Sequence, residues 1–208
     1  MHVFDKPIVM IDFETTGLSP DMGDRITEVA ALRIEGGQIT GRYVTLVNCN
    51  ARIPSFITGL TGITQAMVDK APPVAEVVPQ LLDFIGSDAL SAHNASFDRK
   101  FWQFELGRIR TPCDHDFLCT LLLSRRLYPW SLNHKLATLV DLHKIPVEGQ
   151  YHRALADASM TAHLFITMQR DLERLYAGET IDTDFLLKYQ KTTKNQVKAT
   201  SGAPARYE

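Results

Sequence analysis

Pro7-Ile8-Val9-Met10-Ile11-Asp12-Phe13-Glu14, residues 7–14, is an apolar run that acquires charge only at its end. It follows a proline, is short and is β-branched, which fits a strand covered on both faces rather than one with a wet side. Alternate side chains of a strand share a face, so Asp12 and Glu14 fall in one row with Ile8 and Met10. That row points at a core, where two adjacent carboxylates are poorly solvated unless a cation offsets them. A divalent metal would do so. For an isolated Asp-x-Glu, a pair of acids hydrating themselves at a loop mouth is the plainer alternative.

Working outward, Thr15-Thr16-Gly17-Leu18-Ser19-Pro20 is turn chemistry, and Asp21 to Asp24 extend the loop. Residues 25–35 alternate loosely, and Gly36-Gly37 turns them into 38–47, a hairpin signal. The spacing then becomes helical over 74–85, after Pro72-Pro73. A short strand over 89–92 leads through His93-Asn94-Ala95 into a helix with Ser96 as its N-cap and Phe97, Phe101 and Phe104 on one stripe. Such a stripe is more often core than a stacking platform. A strand near 116–119, helices over 120–127 and 134–142, and a long helix over 154–176 complete the pattern. Residues 182–189 allow one more short helix, and 191–208 are polar and aperiodic, the composition of a mobile tail. The expectation is an α/β domain over 1–178 and a partly flexible C-terminal extension over 179–208.

Composition narrows the classes. The 208 residues are 45% hydrophobic and 22% charged, an ordinary globular balance rather than a disordered one. No run approaches the roughly 18 to 20 apolar residues of a membrane span, and neither end pairs a basic stretch with an apolar one. Cys49, Cys113 and Cys119 are an odd count without zinc spacing, which suits reduced thiols in a cytoplasmic protein. A formal charge of −2 disfavours broad electrostatic binding of a polyanion.

Asp98, Asp157 and His152 each have a plain local reading, as two helix-start acids and a loop histidine. Taken in chain order with their flanks, Asp12, Glu14, Asp98, His152 and Asp157 resemble the DEDDh family of 3′–5′ exonucleases. The motifs stand as Val9-Met10-Ile11-Asp12-Phe13-Glu14-Thr15-Thr16-Gly17-Leu18, Ala92-His93-Asn94-Ala95-Ser96-Phe97-Asp98-Arg99-Lys100-Phe101 and His152-Arg153-Ala154-Leu155-Ala156-Asp157-Ala158. Leu60-Thr61-Gly62-Ile63-Thr64 looks like the family's substrate-contacting loop, with Thr61 where a histidine is common. The likeness covers residues 7 to about 176.

The resemblance implies a ribonuclease H-like α/β fold, with a five-stranded mixed sheet flanked by helices. It implies that Asp12, Glu14, Asp98 and Asp157 hold two Mg²⁺ or Mn²⁺ ions across a scissile phosphate, for which hard oxygen ligands are suited. His152 would be the general base for the attacking water, a role an imidazole can fill near neutral pH. Thr15, Thr16, Gly17, Leu18, Leu60, Thr61, His93, Asn94, Phe97 and Phe101 would contact the substrate or shape its pocket. The implied partner is a single-stranded nucleic-acid 3′ end, losing nucleoside 5′-monophosphates. The His-Arg-Ala-Leu and Thr-Thr-Gly-Leu flanks favour DNA, with RNA trimming as the alternative. A non-catalytic binding module would be marked by a lost acid or histidine, and none is lost. Tyr189 to Gln196 lacks the hydrophobic end of a clamp-binding segment, so a stand-alone or accessory enzyme is expected, homodimeric as several relatives are. Lys188, Lys191, Lys194 and Lys198 would add weak backbone affinity, although solvated-tail composition explains them equally well. Bound divalent cations reverse the local charge at such a site, so the acidic balance excludes a broad basic surface but not a strand end held through metals.

Overall fold

The computed structural model describes residues 6–147, 149 and 152–201; the chain's first five residues and residues 202–208 of the C-terminal extension lie outside them. The opening run is the central strand. In β1 (Ile8–Thr15), Ile8, Val9, Met10 and Ile11 are each at most 1% exposed. Ile8 and Met10 join one apolar core, while Val9, Ile11 and Phe13 join another. A strand packed on both faces has no wet side, so its hydrophobicity runs on instead of alternating.

Strand β2 (Ile26–Glu35) pairs antiparallel with β1 and turns through Gly36-Gly37 into β3 (Gln38–Leu46). Those glycines have φ of 57° and 72°, the paired positive values of a hairpin turn that matches strand twist. Short helices α1 (Ser55–Thr61) and α2 (Gln65–Asp69) precede α3 (Val74–Ile85). Then come β4 (Ala89–Ala92), α4 (Ser96–Arg108), β5 (Phe117–Cys119), α5 (Thr120–Leu127), α6 (Leu136–Leu142), α7 (Ala154–Leu175) and α8 (Thr183–Tyr189). The sheet has five strands in the order β3-β2-β1-β4-β5, with β4 and β5 parallel to β1. Helices α3 and α4 cover the Val9 face, and α5, α7 and α8 the Ile8 face. The mixed sheet flanked by helices is therefore the one the motifs implied.

Two features position the site. β1 pairs with β4 at Ile8–Ala89, Val9–Leu90 and Met10–Ser91, so Asp12 to Thr15 run past the end of that pairing. Helix α7 begins with Ala154, Ala156 and Ala158, all at most 5% exposed, and such small side chains let its first turns lie close to the sheet.

Several expectations are corrected. Ser96 is the first residue of α4 rather than its N-cap; Ala95 holds that position with no side-chain cap, and Ser96 Oγ donates to Asn94 Oδ1 at 3.4 Å. The buried stripe of α4 is Phe101, Trp102, Glu105 and Leu106, while Phe97 and Phe104 are only partly buried. Leu60 and Thr61 end a helix instead of forming a loop, and Thr64 caps the next one by accepting from the Met67 N–H. Beyond Gly178, Ile181, Leu186 and Tyr189 are core residues. Lys198 bonds to the hydroxyls of Tyr176 and Tyr189, and Thr200 to Trp130 Nε1 and the Leu127 carbonyl, so the segment up to Thr200 lies against the body.

Candidate active site

Asp12 and Glu14 leave β1 on the face that α7 covers, and Asp157 meets them from the first turn of that helix. One ligand oxygen from each lies within 4.8 Å of the others. Asp98 arrives from the first turn of α4; it is 3% exposed, and its Oδ1 accepts the Phe13 N–H at 3.2 Å, between the two strand acids.

Burial pushes all four carboxyls up, and repulsion from neighbouring acids adds to it for Asp12, Glu14 and Asp98. Glu14 is raised to about 7, by desolvation first and then by Asp157 and Glu28, with Arg153 opposing. Asp98 is raised to about 8 by burial, against backbone hydrogen bonds that favour its ionised form. Asp12 is pushed well above the usual carboxylate range by burial and by Asp98, Asp157, Glu14 and Glu28. Asp157 is raised by burial, with the His152 N–H and ring opposing. Its Oδ1 is buried with no hydrogen-bond partner among the described residues. Crowded oxygens with upward-shifted pKa values and an orphaned lone pair fit a hard divalent cation, which would replace the missing positive charge.

His152 sits beside this cluster in an exposed turn at φ 63°, a left-handed backbone that costs a non-glycine residue energy. Its N–H donates to Asp157 Oδ2 at 3.2 Å, so the turn is anchored to a candidate ligand. Tyr151, just before it, lies outside the described residues.

The expected substrate residues divide. Thr15 Oγ1 donates to the Gly17 carbonyl at 2.6 Å, and Thr16 Oγ1 to Asp24 Oδ1 at 3.1 Å; both threonines are buried. The loop therefore offers Leu18, 83% exposed, and its backbone rather than those hydroxyls. Leu60 is 47% exposed on α1, but Thr61 is buried and its hydroxyl is used within the helix end, donating to the Ile57 carbonyl and accepting from the Ile63 N–H. His93 is committed inside: Nε2 faces the His134 carbonyl at 3.0 Å, so it carries the proton, and Nδ1 accepts from Thr120 Oγ1 at 2.9 Å. Burial holds its pKa down at about 4. Phe101 is 0% exposed, which places it in the core and away from any base. Asn94 is exposed at φ 65° and Phe97 half-buried, at the mouth of α4.

Sequence reasoning overlooked the residues that hold this frame. Asp24 grips the loop after β1 through Thr16 and the Ser19 N–H, and Arg25 joins it to α4 by a bidentate pair with buried Glu105 at 2.8 and 3.0 Å. Glu28 binds the start of α7 through Arg153. A lone acid inside the apolar strand of residues 26–34 was the available signal.

A family model for exonucleases of the RNase T type matches residues 9–165, and the chain belongs to that family. It carries the 3′–5′ exonuclease domain of that family in the ribonuclease H-like fold, and it spans about 12% of the length of the PolC-type relatives it matches. It is 40% identical over 167 residues to the PolC-type DNA polymerase III of Caldanaerobacter subterraneus subsp. tengcongensis, a match covering 80% of this chain but 12% of that one. Against DNA polymerase III subunit epsilon of Aquifex aeolicus it is 35% identical over 176 residues, covering 82% of this chain and 84% of the relative. Exonuclease X, solved in complex with 5′-overhanging duplex DNA, superposes with a TM-score of 0.69 at 28% identity, over 88% of this chain and 99% of that one. No helix among the described residues is long and apolar enough to cross a membrane.

Proposed function

We propose that this exonuclease removes nucleoside 5′-monophosphates from single-stranded DNA 3′ ends with the help of two Mg²⁺ or Mn²⁺ ions. The observation that carries this reading is the convergence of Asp12, Glu14 and Asp157 within 4.8 Å, with Asp98 bonded alongside and an unpartnered Asp157 oxygen. These four acids would hold the cations, whose charge would stabilise the attacking and leaving oxygens. His152 accepts the proton of the attacking water, whose oxygen bonds to phosphorus. The bond from phosphorus to the 3′ oxygen breaks, and that oxygen takes a proton from solvent to become the new 3′ hydroxyl. Exposed Leu18 and Leu60 supply apolar tips against which the terminal base rests.

The choice of DNA is supported by the relatives that are named as DNA polymerase components. It is tested by digesting matched 5′-labelled DNA and RNA oligonucleotides with Mg²⁺ or Mn²⁺ and identifying the released product. DNA should shorten faster from its 3′ end and yield deoxynucleoside 5′-monophosphates, with Asp12→Asn inactive. Faster loss of RNA would transfer the proposal to RNA trimming.

A further inference from the structure

We infer that Glu28 and Arg153 form a positioning clamp that sets the start of α7, and with it Asp157 and the His152 turn, against the strand acids. The inference rests on the proposed reading of the site as a cation-assisted exonuclease centre. Glu28 is the β2 residue directly opposite Glu14, and it is 3% exposed. Its carboxylate takes Arg153 Nη2 on Oε1 at 2.6 Å and Arg153 Nε on Oε2 at 3.1 Å. The Ala154 N–H donates to the same Oε2 at 3.0 Å.

These contacts fall at one point of the chain. Arg153 is the N-cap of α7 and makes no side-chain cap of its own; Ala154 is the first helical residue. The leading N–H groups of a helix need outside acceptors, and a strand carboxylate supplies one here. From the same junction the Arg153 carbonyl accepts the Asp157 N–H at 3.1 Å, and the His152 N–H reaches Asp157 Oδ2. A bidentate guanidinium fixes direction as well as distance, which a single charged contact does not. The long apolar face of α7, with Phe165, Met168 and Leu172 fully buried, holds the helix on the sheet without this pair. The pair therefore governs where the helix begins rather than whether it docks.

The clamp also governs charge. Glu28 is a fifth acid near the cluster, adding to the repulsion on Asp12 and Glu14, while Arg153 favours ionised Glu14. Paired, the two nearly cancel. Unpaired, the guanidinium becomes a counter-ion that competes with divalent cations for Glu14, whereas an unpaired Glu28 does not.

Glu28→Gln, Arg153→Gln and the milder Arg153→Lys are compared with the wild-type chain in two assays. One is mononucleotide release at saturating Mn²⁺; the other is the Mn²⁺ concentration giving half of the maximal rise in thermal midpoint. Each variant should lose at least tenfold in kcat with KM for the oligonucleotide within threefold. Only Glu28→Gln should raise the half-saturating Mn²⁺ concentration, by at least fivefold. Retention of kcat within twofold in the folded variants overturns the clamp, as does an equal rise in Mn²⁺ requirement in both Gln variants, which marks general damage. If the Gln variants do not fold, Arg153→Lys decides alone: full kcat overturns the bidentate clamp. If the wild-type chain releases no nucleotide, the exonuclease reading fails instead, and an unchanged Mn²⁺ titration in Glu28→Gln still sinks the clamp.

Discussion

The two flanks of the acid cluster are built in opposite ways. On one side, residues 15–25 are tied down by side chains throughout: Asp24 to Thr16 and Ser19, Arg25 to Glu105, and Lys100 to Asp21 and Ser19. On the other, His152 stands on an exposed left-handed turn, fastened through its own N–H to Asp157 and through its neighbour Arg153 to Glu28. Asp12, Glu14, Asp98 and Asp157 lie on a strand or in the first turn of a helix, where geometry is held tightly, while His152, the proton acceptor on the proposed reading, sits on a turn fastened through Asp157 and Glu28. On the proposed reading, this difference makes cation binding and proton transfer separable by mutation.

Loss of an acid from the cluster should have the largest effect. Asp12→Asn or Asp157→Asn should cut kcat roughly 10³-fold or more, since the charge stabilisation lost amounts to several kcal/mol. The same variants should lose the rise in thermal midpoint that Mn²⁺ gives the wild-type chain. His152→Ala should cost roughly 10²-fold to 10³-fold in kcat, within the usual range for a general base, and keep that Mn²⁺-dependent rise intact. A His152→Ala protein that no longer responds to Mn²⁺ would break the comparison, because the turn would then belong to the cation site.

The strand that carries two of the acids was the most legible part of the site. An apolar run with acids only at its end marks a strand buried on both faces, and the period of two alone sets Asp12 and Glu14 side by side. The gathering of Asp98 with Phe13, 85 residues apart, and of Arg153 with Glu28, 125 apart, has no local signature. Thr61 shows the converse failure: a polar residue in a substrate-like motif is fully spent on its own helix end. The segment near Lys198 and Thr200 reads as tail because its attachments use main-chain groups and hydroxyls, which composition does not display.

The raised carboxyl pKa values give the cluster a pH signature. For Glu14 and Asp98 the folded values of about 7 and about 8 lie above the ordinary 4.5 and 3.8. Between those limits the folded chain binds more protons than the unfolded one, so stability falls as pH rises. The metal-free thermal midpoint should therefore decrease from pH 5 to pH 8.5. Glu14→Gln should flatten that slope and raise the midpoint at pH 8, although it is inactive, because it removes a repelled charge. Mn²⁺ should oppose the fall, and should bind more tightly as protons leave. A metal-free midpoint that rises across this range would refute the crowding of charge inferred for the strand side.

The smallest effect probes the tied loop itself. A Cβ on Gly17 would run into the Asp24 carboxylate, closer than any ordinary contact. The Asp24 Cγ is met as closely as its two oxygens, so only displacing the whole side chain would relieve the clash, and that would release Thr16 Oγ1 and the Ser19 N–H; Gly17→Ala therefore forces either strain or an untied loop. Overpacking of this kind costs about 1–3 kcal/mol, which in a chain of this size lowers the thermal midpoint by roughly 2–12 °C. The four acids are untouched, so kcat should stay within about threefold while KM for the oligonucleotide rises by a similar or larger factor as Leu18 shifts. Asp24→Ala alone should raise KM in the same way. Combined with Gly17→Ala it should add little, because the clash and the tie are one contact and coupled residues do not contribute independently. Full additivity of the two substitutions in KM would show that the loop is held by something other than Asp24, and the contrast between the two flanks would lose its basis.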